Sequence, residues 1–557
     1  MKEYTKLFLL TLLLAGITTQ AQTQHSTPKL VVGVMVDQMR YDYLFRYYNQ
    51  YGKNGFKKLI NKGFLAKNAH YNYTPTYTGP GHASVYTGTT PANHGIIGNR
   101  WYTREKNRTI NCVEDSSVKT VGSNTRRGAN SPVSLLATTV GDQLRLASNW
   151  RSKVVSVSIK NRGAILPGGR TANAAYWYDY STGQFITSNY YMNKLPNWVE
   201  NFNKQGLSDK FLTQTWSPLK PISQYRESSG DNTPYEQVLR GKKAPTFPYN
   251  FAELKKVYAK KNAQYHLVVA SPFGNTLVQK MAIEAINKEK LGQGKETDML
   301  AISFSSTDVT GHAFGPRSIE VEDMYLRLDR EIAELITHLD KKVGQDNYVL
   351  FLTADHAVVD VPQYLRDHRI AGGYAPLRIY FSKLRDYLTK KYGVGKWILH
   401  AGNQVFLNRK LIKERNISLE KVQRDAAHFL LQFEGIYKTY TATDLHRNNY
   451  THGIVSKLQK GYNQKRSGDV FFVLNPAWLP AWSPTGRINK RAKQGTSHGS
   501  GYNYDTHVPI IFYGAGIDHG SSVRRIHITD IAPTLAMMLH LQLPNAATGQ
   551  PIEELFD

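Results

Sequence analysis

The chain has 557 residues, 41% of them hydrophobic and 11% aromatic, which is enough to bury a large core and more than one small domain needs. Its formal net charge of +27 is compatible with nucleic acid, an anionic envelope surface or small anionic substrates, but the lysines are spread along the chain. The densest cluster, KKVYAKK at 255–261, reads as a solvated basic surface. The single cysteine, Cys112, excludes an intramolecular disulfide and a sulfur-rich zinc site, so any metal must be held by His, Asp or Glu.

In chain order, Lys2 and Lys6 lead an apolar run from Leu7 to Ile17, followed by Thr19 and Ala21 at the −3 and −1 positions of a cleavage site. Residues 1–21 are therefore expected to be a signal peptide directing the protein to the periplasm or beyond. The run is too short for a bilayer core, which needs about 20 residues, and no later stretch of that length is free of charges.

Apolar runs then end repeatedly in polar residues, as buried parallel strands do where they deliver side chains to the carboxyl edge of a sheet. LVVGVMVD ends at Asp37, KVVSVSIKNR at Lys160 and Arg162, DMLAISFSSTD at Asp308, and NYVLFLTADH at Asp355 and His356. VPIIFYGAG starts at Val508, shortly after His498. Between the third and fourth runs, Val321, Tyr325, Leu328, Ile332, Leu335 and Leu339 recur at helical steps, which predicts a long amphipathic helix and a strand–helix–strand crossover. Thr529, Asp530 and Pro533 open a final helix. The fold class is α/β, with a mostly parallel central sheet flanked by helices. Residues 165–295 and 370–490 break the alternation. The first is rich in Tyr, Trp, Asn and Pro, the second carries its own strand-like runs such as LRIYF and GDVFFVL, and both are expected to be insertions forming a cap over the site of a single catalytic domain at 22–557.

The segment TPTYTGPGHASVYTG places Thr78 before Gly79 and Pro80, at or beside the start of a helix. A hydroxyl there faces the positive end of the helix dipole, where phosphoryl oxygens are stabilised. Taken alone, Thr78 reads equally as a capping residue. The surrounding donors change that: Asp37, Asp308, His312, Asp355, His356 and His498 all fall at strand ends or in adjoining loops. Three carboxylates and three imidazoles divide into two four-coordinate zinc sites only if each leaves a position open, the composition of a catalytic pair.

With these residues in view, the sequence resembles the alkaline phosphatase superfamily, specifically the bacterial periplasmic phosphate-irrepressible phosphatases that use threonine as nucleophile. VVGVMVDQMR, TPTYTGPGHASVYTG, HGIIGNRWY, SIKNRGAI, SFSSTDVTGHAFGP, TADHAV and TSHGSGYNYDTHVPIIFYG carry the resemblance. It implies that Asp37, Asp355, His356 and Thr78 hold one Zn²⁺ and that Asp308, His312 and His498 hold the other. It also implies that Asn99 donates a hydrogen bond to a phosphoryl oxygen and that Lys160 and Arg162 form a cationic clamp. The expected reaction is hydrolysis of small phosphate monoesters through a phosphothreonine, by a monomer with no specific nucleic-acid partner. The nearest rival is a phosphodiesterase on the same scaffold; an envelope anion-binding protein is the non-enzymatic alternative. A sulfatase lacks its C/S-x-P-x-R segment here, and no G-x-x-x-x-G-K-[ST] kinase loop occurs.

Overall fold

A computed structural model describes residues 27–482 and 493–556. The expected signal peptide lies outside the described residues.

The centre is a ten-stranded sheet. Its strands are Leu30–Val36 (β1), Phe64–His70 (β2), Thr120–Val121 (β3), Val154–Ser158 (β4), Ala174–Asp179 (β5), Gln184–Ser188 (β6), Asp298–Phe304 (β7), Tyr348–Thr353 (β8), Ile510–Gly514 (β9) and Gly520–His527 (β10). They lie in the order β10-β2-β9-β8-β1-β7-β4-β5-β6-β3. From β8 to β5 the neighbours are parallel. Every residue of β1, β4, β7 and β8 is buried, which is why these segments read as unbroken Val, Ile and Leu runs rather than as alternating ones.

Register decides where the site falls. Met35 pairs with both Ser303 and Thr353, and Ser303 pairs with Ser158. The chain therefore leaves β1, β7, β8 and β4 at one level of one edge, and the polar residues after each strand emerge together.

Four helices matter most: Thr78–Thr87 (α1), Asn161–Gly168 (α2), Ser306–Phe314 (α3) and Ile319–Lys342 (α4). The six apolar residues predicted to face the core from α4 are all buried, and Ser318 caps its first turn by accepting from the Val321 amide. The α4 crossover joins β7 to β8, which flank β1 on either side. The helix signalled by Thr529 to Pro533 is present at Ile531–Met538.

Three details differ from expectation. LRIYF is not a strand but part of a helix, Leu377–Tyr392, whose buried Leu377, Tyr380, Phe381, Leu384 and Leu388 keep helical spacing beyond the short apolar run; a run of that length is ambiguous by itself. VPIIFYGAG forms β9, antiparallel to β8. The chain also turns from strand to helix before Arg162, so Arg162 stands in the first turn of α2 with Lys160 as its N-cap residue.

The two segments that break the alternation behave differently. Part of 165–295 joins the central layer as β5 and β6. The 370–490 segment carries a separate four-stranded sheet, Ile398–Ala401, Val405–Leu407, Val470–Leu474 and Ile436–Thr441, with its own apolar cluster around Leu384, Val405 and Val422. No helix among the described residues is long and apolar enough to cross a membrane.

Candidate active site

Asp37 follows β1, Asp355 follows β8, and Asp308 lies in the first turn of α3 after β7. All three are buried, and like charges held together at low dielectric repel strongly. Lys160 offsets two of them: its Nζ lies 2.6 Å from Asp37 Oδ2 and 2.5 Å from Asp308 Oδ2. Burial alone would lower the Lys160 ammonium, but Asp308 and Asp37 outweigh it and raise it to about 12. Burial would likewise raise Asp308, yet His312 and Lys160 hold it well below the usual carboxylate range. Burial and the neighbouring Asp37 push Asp355 the other way, well above that range.

The histidines are oriented from behind. Nδ1 of His312, His498 and His356 lies 2.8 Å, 2.7 Å and 3.1 Å from the backbone carbonyls of Thr496, Thr76 and Ala357. A carbonyl only accepts, so Nδ1 carries the proton in each contact and Nε2 is left to face inward. His312 and His498 both aim Nε2 at Asp308 Oδ1, at 3.2 and 3.5 Å. His356 Nε2 lies 3.6 Å from Asp37 Oδ1 and 3.5 Å from Asp355 Oδ2. The His356 and His498 rings stack with centroids 3.4 Å apart. Burial lowers both imidazoles, so the stacked pair is neutral and available as ligands.

Asp37 Oδ1, Asp355 Oδ2 and His356 Nε2 are buried without any hydrogen-bond partner, at a cost of about 1–3 kcal/mol each. Such orphans converging on one space are what a cation would satisfy. Ligand atoms of Asp37, Asp308 and His356 lie within 4.8 Å of one another, as do those of Asp308, His312 and His498. This all-nitrogen-and-oxygen donor set fits a pair of divalent ions. Asp308 belongs to both groups, whereas the sequence resemblance assigned it to one.

Thr78 is the first residue of α1 and is buried. Arg162 Nη2 approaches its Oγ1 at 3.5 Å. Asn99 Oδ1 accepts from the Gly79 amide at 2.6 Å, which turns the Asn99 amide nitrogen outward with no hydrogen bond among the described residues. The helix lies close to the Asp355 loop because position 81 is glycine: a Cβ there would come within 2.3 Å of the Asp355 carbonyl oxygen.

Two neighbours escaped the sequence reading. Gln38, in a left-handed backbone conformation with φ 67°, donates from Nε2 to Asp308 Oδ1 at 2.7 Å and from its backbone amide to Asp355 Oδ1 at 3.1 Å. It thereby ties two carboxylates together, and its place directly after Asp37 was the only available signal. His82 sits one turn along α1 from Thr78, donates from Nδ1 to the Thr78 carbonyl at 2.9 Å, and lies 3.5 Å from Asp355 Oδ2. Its helical spacing from Thr78 was the legible clue. Cys112, buried beneath the start of α1, has its thiol pushed up to about 11 by burial and is inert.

A helix-borne hydroxyl beside a two-part carboxylate and imidazole cluster, at the carboxyl edge of an α/β sheet, defines the class as a metal-dependent hydrolase of the alkaline phosphatase superfamily. The chain belongs to the type I phosphodiesterase / nucleotide pyrophosphatase family, whose model matches residues 31–501. It is 45% identical to alkaline phosphatase PhoV of Synechococcus elongatus, over 95% of this chain and 93% of that protein. It is 42% identical to a calcium-transporting ATPase of Myroides odoratus, over 95% of each chain. A crystal structure of alkaline phosphatase PafA is 41% identical and covers 95% of this chain and 99% of its own, with a TM-score of 0.89.

Proposed function

We propose that the protein hydrolyses phosphate monoesters to an alcohol and inorganic phosphate through a phosphorylated Thr78, at a site holding two Zn²⁺. Support comes chiefly from one observation: the Thr78 hydroxyl stands at the start of α1 beside Arg162, and His82 one turn on reaches from the Thr78 carbonyl to within 3.5 Å of Asp355 Oδ2, one of the buried atoms that lack partners. Asp37, Asp355 and His356 would hold one ion together with the Thr78 oxygen; Asp308, His312 and His498 would hold the other. When bound, the ions lower the pKa of a hydroxyl or water and neutralise a departing oxygen.

The chain's own groups do the rest. Thr78 Oγ1 attacks phosphorus, the P–O bond to the alcohol breaks, and water later cleaves the phosphothreonine and releases phosphate. The N-terminus of α1 and the Arg162 guanidinium stabilise non-bridging oxygens, and the outward Asn99 amide nitrogen donates to one of them. Two divalent ions would be balanced by three aspartates and a Thr78 alkoxide, which would release Lys160 from Asp37 and Asp308 to match a dianion together with Arg162. A monoester carries that charge, whereas a diester has one charge fewer and an extra substituent. This favours monoesterase over phosphodiesterase activity, in keeping with the similarity to the alkaline phosphatases PhoV and PafA.

We further propose that the 370–490 segment caps the site and that residues 1–21 direct export. Hydrolysis rates for a monoester and a diester sharing one leaving group test the reaction. A strong monoester preference is expected, and preference for the diester would reject it. Phosphate-free turnover with no acid-stable label on Thr78 after quenching would reject the intermediate.

A further inference from the structure

A cleft of about 540 Å³, open to solvent, adjoins the site: Lys160 and Arg162 line it together with Arg126 and Arg127. The floor is aromatic, with Trp177 and Tyr180 from β5 and the turn after it. Arg127 is partly committed, lying 5.5 Å over the Tyr180 ring and 3.4 Å from Asp179. Two acids also line the cleft, but both are engaged: Glu114 pairs with Arg108, and Asp115 accepts from Ser117 and Ser131. Arg126 is exposed and makes no side-chain hydrogen bond or ion pair among the described residues. Burial raises the Tyr180 phenol against the opposing pull of Lys160, Arg162 and Arg127.

A phosphate monoester has a single organic substituent. Any part of such a substrate that reaches past the phosphoryl oxygens into this cleft therefore belongs to the alcohol half. We propose that this cleft is a leaving-group subsite for a second anionic group, so that the enzyme prefers phosphate monoesters whose alcohol carries a carboxylate or further phosphate, read by Arg126. The inference rests on the monoesterase reading above. Because Arg126 is solvent-exposed, its contribution is modest and sensitive to salt.

The test compares kcat/KM for phenyl phosphate and 3-carboxyphenyl phosphate in the zinc-loaded full-length enzyme, Arg126→Ala and Arg126→Glu, at low and high salt. The ratio of the two substrates is followed across variants, which cancels their intrinsic reactivities. The carboxylated ester is expected to lose about three- to fivefold relative to phenyl phosphate in Arg126→Ala and more in Arg126→Glu. Phenyl phosphate itself should stay within about twofold, and the effect should shrink at high salt. An unchanged ratio in both variants, with phenyl phosphate still turned over, overturns the subsite alone. Absence of turnover of either ester by the wild type overturns the monoesterase reading and the subsite with it.

Discussion

Two groups of buried acids in this molecule are given different partners. Asp37, Asp308 and Asp355 share their space with Lys160 and with three imidazoles whose Nε2 atoms point inward. Along α4 and the segment facing it, Glu236, Glu320, Glu322 and Glu331 are also buried, each with one unpartnered oxygen. Their other oxygens accept only from hydroxyls, those of Thr233, Tyr249, Ser228 and Thr276. Burial outweighs the more distant cations, Lys220 and Arg46 for Glu322 and Arg327 and Lys280 for Glu331, and raises Glu236 and Glu331 to about 8 and Glu322 to about 7. The acids on and facing α4 are pushed toward their neutral forms, whereas among the strand-end acids Asp308 is held charged by His312 and Lys160 while Asp355, crowded by Asp37, is itself pushed up. Burial and an orphan oxygen do not make a site; convergence with imidazole nitrogens does.

That contrast is broken most sharply at Thr78. Thr78→Ala is expected to lower kcat by at least about a thousandfold while leaving metal content unchanged, read by steady-state kinetics and metal analysis. Replacing Lys160 and Arg162 together by Ala should cost about 10²–10³ in monoester kcat/KM and less than about tenfold for a diester of the same leaving group. Gly81→Ala, which forces α1 away from the Asp355 carbonyl, should cost about a hundredfold in kcat with the fold retained by circular dichroism.

The smallest effect belongs to α4. The folded-state pKa of Glu331 is raised above its unfolded value, so the stability it contributes is complete below about pH 4.5 and is lost as pH climbs through about 8. Glu331→Gln should therefore flatten the decline in unfolding free energy over that range, by on the order of 3 kcal/mol at its upper end. Denaturant titrations at several pH values measure it, and an unchanged slope would show that the α4 acids are not held neutral.

Much of this was legible in the sequence because strand ends are marked by chemistry. Unbroken Val and Leu runs gave the parallel core strands, and the residues after them gave Asp37, Asp308, Asp355 and His356. Convergence itself was not legible, since it depends on the register that sets Met35 against Ser303 and Thr353. Short apolar runs misled where length could not arbitrate, as in LRIYF. The position of Arg162 on a helix rather than a strand depended on a turn two residues long. Gln38 and His82 were missed because neither type announces a role: one acts by bridging carboxylates, the other through helical adjacency to Thr78.

Diffraction from crystals of the zinc-loaded protein, with data on either side of the zinc absorption edge, tests the central claim most directly. Two anomalous peaks are predicted, each about 2.0–2.2 Å from its ligand atoms: one between Asp37, Asp355 and His356 with Thr78 beside it, the other between Asp308, His312 and His498. Density without an anomalous scatterer beside Thr78, in enzyme that still turns over, would contradict the account.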